Sequence, residues 1–241
     1  MTIQCWICEK NANTGEHLLK KSDLSKIYKG VSQKAPLYFH SGVKKNIPIG
    51  SLNNDRLKSK ALLCSDCNNT LTQPYDKAWE KLSGSLQNNF LIHRKFRKID
   101  GKKIFPGASE KSLLDVHLYF LKLFGCRIKE DQIPIAIKEF SQCILNRTPH
   151  PNVYLKFGFL DGDSFRTLAA LTPIQAVNEH GNGTVFAAWF YYIDKIFVEI
   201  IFNKVNNNSV LKHSWHPKQK SKRLEFVNLK QERRPSENRI G

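Results

Sequence analysis

The sequence has no apolar run fit to cross a membrane. Its most apolar stretch, Thr184–Phe202, is interrupted by Asp194, Lys195 and Glu199, whereas a bilayer-spanning helix needs about 20 predominantly apolar residues. The opening residues, MTIQCWICEK, lack the basic and then apolar segments of a secretory leader. The expectation is a cytoplasmic protein with no membrane partner. Thiols stay reduced there, so paired cysteines point to metal rather than to disulfides. No internal repeat is evident, which leaves out repeat arrays. Acidic residues are scarce: 21 Asp+Glu stand against 38 Lys+Arg, a net charge of +17 at pH 7. Such an imbalance speaks to partners and solubility rather than to fold.

The positive charge is concentrated. Residues 1–110 hold 19 Lys+Arg against 9 Asp+Glu, residues 111–211 hold 10 against 9, and residues 212–241 hold 9 against 3. The cationic surface therefore belongs to the front region and the tail, and the middle need not touch a polyanion. Clustered Lys and Arg suit a phosphate backbone, where counterion release supplies sequence-independent affinity. The remaining composition, 41% hydrophobic with 11% aromatic, is that of a chain that buries a core.

Three regions follow. Residues 1–105 are polar and basic and carry the paired cysteines. Leu71–Lys98 reads as a helix, with Tyr75, Ala78, Trp79 and Leu82 on one face and Gly84 as a point of weakness. It ends in HRKFRK, where Arg94, Lys95, Arg97 and Lys98 surround one aromatic ring. Turns at Asp100-Gly101 and Pro106-Gly107 mark the boundary. Residues 106–211 mix helix and strand. Ser112–Phe124 and Ile133–Leu145 have helical periodicity, the latter with Pro134 near its first turn. Val153–Phe159 alternates, Asp161-Gly162 supplies a turn before Phe165–Leu171, and Val185–Tyr192 and Ile196–Phe202 read as strands joined at Asp194-Lys195. The fold class is thus α+β, with helices and an antiparallel sheet in the second region. Residues 212–241 are basic with little apolar periodicity and are expected to be irregular.

Cys5-Trp6-Ile7-Cys8 and Cys64-Ser65-Asp66-Cys67 are two CxxC knuckles. Each places two thiolates on one ion from a tight turn, and together they complete a tetrahedral four-cysteine zinc site. Such a closed site has no open position for chemistry; it staples the region. The separation of the knuckles implies an insertion between them.

Glu16-His17 follows the first knuckle and Asn68-Asn69 follows the second. The order CxxC, Glu-His, CxxC-Asn-Asn resembles the zinc-containing members of the HNH, or ββα-metal, nuclease superfamily, and the run Asn69–Trp79 is similar to the helix that follows the asparagine in some members. The resemblance covers about residues 1–95. It implies a zinc-stapled ββα unit in which Glu16 and Asn68 hold a catalytic divalent metal, Mg²⁺ or Mn²⁺, and His17 is the general base. The residues before Cys64 would form an enlarged hairpin loop. Many relatives carry Asp or His where Glu16 stands, and the family's last metal-binding histidine has no equivalent here; Asn68, Asn69 and Asp76 are the alternatives for that ligand.

The chemistry suits these residue types. A neutral imidazole takes a proton from water at physiological pH, and a hard cation held by few oxygens clamps phosphate oxygens. Adjacent strand residues point to opposite faces, so Glu16 and His17 need a bulge to share one centre. Lys44, Lys45, Lys58 and Lys60, with the basic run at 94–98, are the expected backbone contacts. The resemblance implies an endonuclease acting on DNA (RNA presents the same phosphates), in restriction or phage defence. Separately, the near-neutral charge of the second region, 106–211, favours contact with a partner protein or a second copy at least as much as DNA reading. The competing class is a non-catalytic, zinc-dependent nucleic-acid-binding module, or a subunit that a partner activates. His40, Cys126, Cys143, His213 and His216 are read as structural or surface residues rather than ligands, His93 as a phosphate contact rather than a metal ligand, and Asp161-Gly162-Asp163 as a turn.

Overall fold

The structure is a computed structural model and describes residues 3–161, 169–181, 183–205, 209–219 and 222–230. The expected turn at Asp161–Asp163, most of the Phe165–Leu171 strand and the last eleven residues lie outside these. The front region begins with strand β1 (Thr14–His17), helix α1 (Lys21–Ile27), a short ribbon of β2 (Leu37–Phe39) and β3 (Ile47–Ile49), and strand β4 (Lys58–Leu63). β4 returns antiparallel to β1, so α1 and the ribbon are the insertion that the cysteine spacing demanded. A wide turn of π type, Asp66–Leu71, leads into α2 (Gln73–Asn88), with Pro74 in its first turn, where a missing N–H costs nothing. A break at Asn89 then gives α3 (Phe90–Phe96). The expected single helix over 71–98 is therefore two, and the break falls not at Gly84, which stays helical, but five residues later.

Strand β5 (Lys98–Asp100) and the single-turn α4 (Gly101–Ile104) precede the long helix α5 (Ser109–Glu130), which is followed by α6 (Ile137–Asn146). α6 starts four residues later than its periodicity suggested, because Pro134 and Ile135 lie in the connection before it. The remaining strands are β6 (Val153–Asp161), β7 (Ala169–Leu171), β8 (Gln175–Glu179), β9 (Gly183–Ile193), β10 (Ile196–Asn203) and β11 (Arg223–Lys230). β9 and β10 form a hairpin whose turn holds Asp194 at φ 55°, a left-handed conformation that Asp tolerates better than most residues.

The sheet runs β5-β11-β6-β10-β9-β7, with β8 also on β9. Two sequence expectations change here. The sheet is mixed, because β11 runs parallel to β6. Residues 223–230, placed in an irregular tail, are a strand between β5 and β6, with Leu224 and Phe226 buried.

α5 explains how the halves join. From Val116 to Cys126 every residue is buried, including Lys122. A helix that is apolar on all sides needs neighbours on all sides, and α5 packs against α2, β4, α6 and β6. Trp79 of α2 stacks on Tyr119 with ring centroids 5.7 Å apart and meets Phe120 and Tyr191 edge-on. One hydrophobic core consequently runs from Cys5 through α2 and α5 to Phe226, across the boundary placed at 105/106. Among the described residues no helix is long and apolar enough to cross a membrane.

Candidate active site and metal centre

The two knuckles meet. The Sγ atoms of Cys5, Cys8, Cys64 and Cys67 all lie within 4.8 Å of one another, so the cluster can hold a metal ion such as zinc. Four sulfurs at about 2.3 Å from zinc in a tetrahedron stand roughly 3.8 Å apart, and Cys8 and Cys64 are already at 3.4 Å. Tight local turns shape the knuckles: the Cys5 and Glu9 amides donate to the Lys10 and Cys5 carbonyls, with Glu9 at φ 64°. Trp6 projects from the first knuckle onto α5, where its Nε1 donates to Cys126 Sγ at 3.4 Å and its ring covers Gly125.

Beside this cluster, β1, α1, β4 and the start of α2 enclose a cleft of about 1030 Å³. The β1–β4 register shifts between Gly15 and His17. That irregularity lets Glu16 and His17 line the same cleft, as a bulge re-aims neighbouring side chains. Nε2 of His17 lies 3.1 Å from the Leu52 carbonyl. A carbonyl only accepts, so this nitrogen carries the proton and Nδ1 keeps its lone pair. Burial, opposed by that hydrogen bond and reinforced by Lys58, Lys21 and Lys20, lowers the His17 pKa and keeps the ring neutral at physiological pH.

Asn68 lines the cleft from the wide turn. Its Nδ2 donates to Thr14 Oγ1 at 3.2 Å, while its buried Oδ1 has no hydrogen-bond partner among the described residues. An orphaned amide carbonyl oxygen and a buried carboxylate, lining one cleft, are donors of the type a hard cation takes. Glu16, however, already has a cationic partner. Lys122 Nζ lies 3.0 Å from Glu16 Oε2, 3.1 Å from Asp76 Oδ1 and 3.3 Å from Thr72 Oγ1. Burial pulls the Lys122 pKa down, but Glu16 and Asp76 outweigh it and hold the ammonium above its ordinary value. Burial raises the Glu16 pKa, and Asp76 adds to this because two carboxylates share one ammonium. Lys20 reaches Asp76 at 3.2 Å and Glu80 at 3.4 Å from the open side. Of the ligand alternatives, Asp76 is thus held by two lysines, while the exposed Asn69 donates to Ser65 Oγ.

The cleft is walled by Lys20, Lys21, Lys58 and Lys60. Of these, Lys58 and Lys60 are among the basic residues singled out from sequence, and Lys58 pairs with Asp55 at 2.8 Å. Lys44 and Lys45 lie in the β2–β3 connection and do not line the cleft. Nor do Arg94 and Lys95 on α3, Arg97 in the left-handed turn after it, or Lys98 at the start of β5, which pairs with Glu225 at 3.1 Å. Sequence reasoning missed Lys20, Lys21 and Lys122. The signal for Lys122 was present: it is the one Lys or Arg between Leu113 and Cys126, inside a largely apolar segment, and a lysine is fully buried only when paired.

The side residues fall as follows. Cys126 is in the core, Cys143 is half-buried, and His40 Nδ1 accepts from the Asn46 amide. His93 is half-buried on α3. His213 pairs with Glu225, and His216 is buried, donating to the His150 carbonyl at 2.9 Å.

The chain matches no protein-family model, no curated protein and no solved structure.

Proposed function

We propose that this chain is a metal-dependent endonuclease of the HNH type that hydrolyses phosphodiester bonds in DNA. The observation that carries the reading is the state of His17. It is a neutral imidazole on a cleft wall, with Nε2–H anchored on the Leu52 carbonyl and Nδ1 available as a base. Support comes from what surrounds it: two antiparallel strands followed by a helix, Glu16 at a register shift, and the unpartnered Asn68 oxygen. The four-cysteine cluster then serves as a structural zinc site, closed to substrate.

In this reading Lys20, Lys21, Lys58 and Lys60 draw the phosphate backbone into the cleft, and His17 Nδ1 takes the proton of the attacking water. Glu16 and the Asn68 carbonyl oxygen hold Mg²⁺ or Mn²⁺, which when bound supplies charge neutralisation at the phosphate. The pairing of Glu16 with Lys122 favours a second reading, a nucleic-acid-binding module whose carboxylate is structural.

Plasmid cleavage with Mg²⁺ or Mn²⁺, run beside His17→Ala and an EDTA control, separates the two. The nuclease reading expects nicking that EDTA stops and that falls about 100-fold or more in the variant, the usual size of a general-base contribution. Equal inactivity of wild type and variant, with DNA binding intact, would turn the assignment to the binding module.

A further inference from the structure

The cleft already contains its own cations. Four carboxylates line it, Glu16, Asp55, Asp76 and Glu80, and so do four lysines, Lys20, Lys21, Lys58 and Lys60. Lys122, wholly buried against Glu16 and Asp76, adds one more positive charge. Counted at neutral pH the ensemble is +1. A phosphodiester entering such a cleft is attracted, whereas a lone divalent cation meets five ammonium groups and carboxylates that they already engage. Each carboxylate that a cation would seek is shared: Glu16 with Lys122, Asp76 with Lys122 and Lys20, Glu80 with Lys20.

We propose that Lys122 and Lys20 are resident cations of this cleft and that they couple metal uptake to the substrate: a divalent ion binds weakly alone and tightly with a phosphodiester. The inference rests on the nuclease reading and concerns the order in which that site fills. The two lysines have different parts. Lys122 has no exposed surface and touches Glu16 Oε2, so it fixes the carboxylate and stays. Lys20 is 17% exposed and approaches Asp76 and Glu80 from the solvent side, so its ammonium can leave them for an arriving phosphate. The coupling is reciprocal by thermodynamic necessity: the oligonucleotide must bind more tightly in the presence of the metal by the same factor.

The test is Mn²⁺ binding to the full chain, read by the electron paramagnetic resonance of free Mn²⁺. It is run with and without a nuclease-resistant phosphorothioate DNA oligonucleotide, the oligonucleotide alone serving as blank. Lys20→Met is the decisive variant because its side chain is part-exposed and reaches the carboxylates from the solvent side. Lys122→Met is its buried counterpart, and Glu16→Gln marks which Mn²⁺ belongs to the cleft. The expected results are Glu16-dependent binding that the oligonucleotide tightens in wild type, and tighter binding without oligonucleotide in Lys20→Met. The gain should be on the order of tenfold, the scale on which one unit charge acts on a divalent ion sharing its cleft across water. A folded Lys122→Met should shift the same way.

If folded Lys20→Met binds free Mn²⁺ no better than wild type, or wild type binds it equally well with and without oligonucleotide, the inference is overturned. Metal-dependent, His17-dependent plasmid cleavage in that same protein would leave the nuclease reading standing. Absence of Glu16-dependent Mn²⁺ binding in every protein, together with inert wild type, would remove both.

Discussion

Two helical glycines give opposite expectations for the same substitution. Alanine is favoured over glycine in a helix interior by about 1 kcal/mol, so Gly→Ala stabilises wherever the new methyl has room. At Gly84 in α2 the nearest atom to an added Cβ is Lys26 Nζ at 3.2 Å, the end of a flexible side chain. Gly84→Ala should therefore gain roughly 0.5–1 kcal/mol. At Gly125 in α5 the same Cβ would stand 2.3 Å from Trp6 Cη2 and 2.5 Å from Cζ2, where carbon contacts prefer about 3.5–4.0 Å. The indole is poorly placed to yield. It is 8% exposed, its Nε1 is tied to Cys126 Sγ, and its backbone lies between Cys5 and Cys8. Contacts at 2.3–2.5 Å put the overlap in the upper half of the about 1–3 kcal/mol that overpacking costs, so after the helix gain of about 1 kcal/mol Gly125→Ala is destabilised by roughly 1–2 kcal/mol. For a chain of this size that is a fall in Tm of about 2–8 °C, against a rise for Gly84→Ala. Because the displaced ring belongs to a cysteine knuckle, Gly125→Ala should also surrender its metal faster to a chelator. Thermal melts of both variants at equal metal loading, with a colourimetric zinc-release assay, measure both quantities. A Gly125→Ala protein that melts at or above wild type would refute the packing argument.

Three further expectations can be checked directly. His117, His150 and His216 lie together in the core, and burial first, then each other's charge or nearby lysines, lowers all three pKa values, that of His150 to about 4. Their unfolded forms take up protons below pH ~6.5; stability is full above that pH and is lost as pH falls towards 4. His150 alone contributes a loss of about 2 kcal/mol at pH 5, so urea titrations should give lower stability at pH 5 than at pH 7.5. The buried carboxylates of Glu16, Asp23 and Asp115, whose raised pKa values act in the opposite sense, offset this in part, and a higher stability at pH 5 would contradict the cluster. Because the core is continuous from Cys5 to Phe226, stripping the metal or replacing Cys67→Ser should lower a single cooperative transition; two resolved calorimetric peaks would mean separately folding halves. Trp79→Ala, which empties a fully buried ring site and strands the Asp23 carboxylate that its Nε1 meets at 2.8 Å, should cost about 3–5 kcal/mol, and a loss below 2 kcal/mol by the same urea titrations would argue against that core.

What was legible in the sequence was local. The β9–β10 hairpin announces itself through β-branched and aromatic runs on either side of Asp194-Lys195, and each CxxC brings its two sulfurs together within one turn. α2 and α5 follow from periodicity because their partners are apolar whatever those partners are. What was not legible depends on distant pairings. Lys122 meets Glu16 across 106 residues of chain, and no spacing rule links them. β11 carries the alternation Leu224, Phe226, but its basic surroundings hid it; composition describes the exposed side chains, while the strand is made by two buried ones and by β5 and β6 on its flanks. The helix break at Asn89 rather than Gly84 has the same origin, since packing along α2 holds the glycine in the helix.

The place of β11 has a consequence for how the molecule comes into being. β5, the strand that closes the front region, has its antiparallel partner in β11, more than a hundred residues later. A ribosome that has released the first hundred residues has made the cysteine cluster, His17 and Glu16, but not the ammonium that fixes Glu16 nor the strand that clamps β5. Completion of the cleft thus waits for residue 122 and the clamping of β5 for residues 223–225, and a chain cut short before residue 222 lacks the clamp whatever motifs it carries.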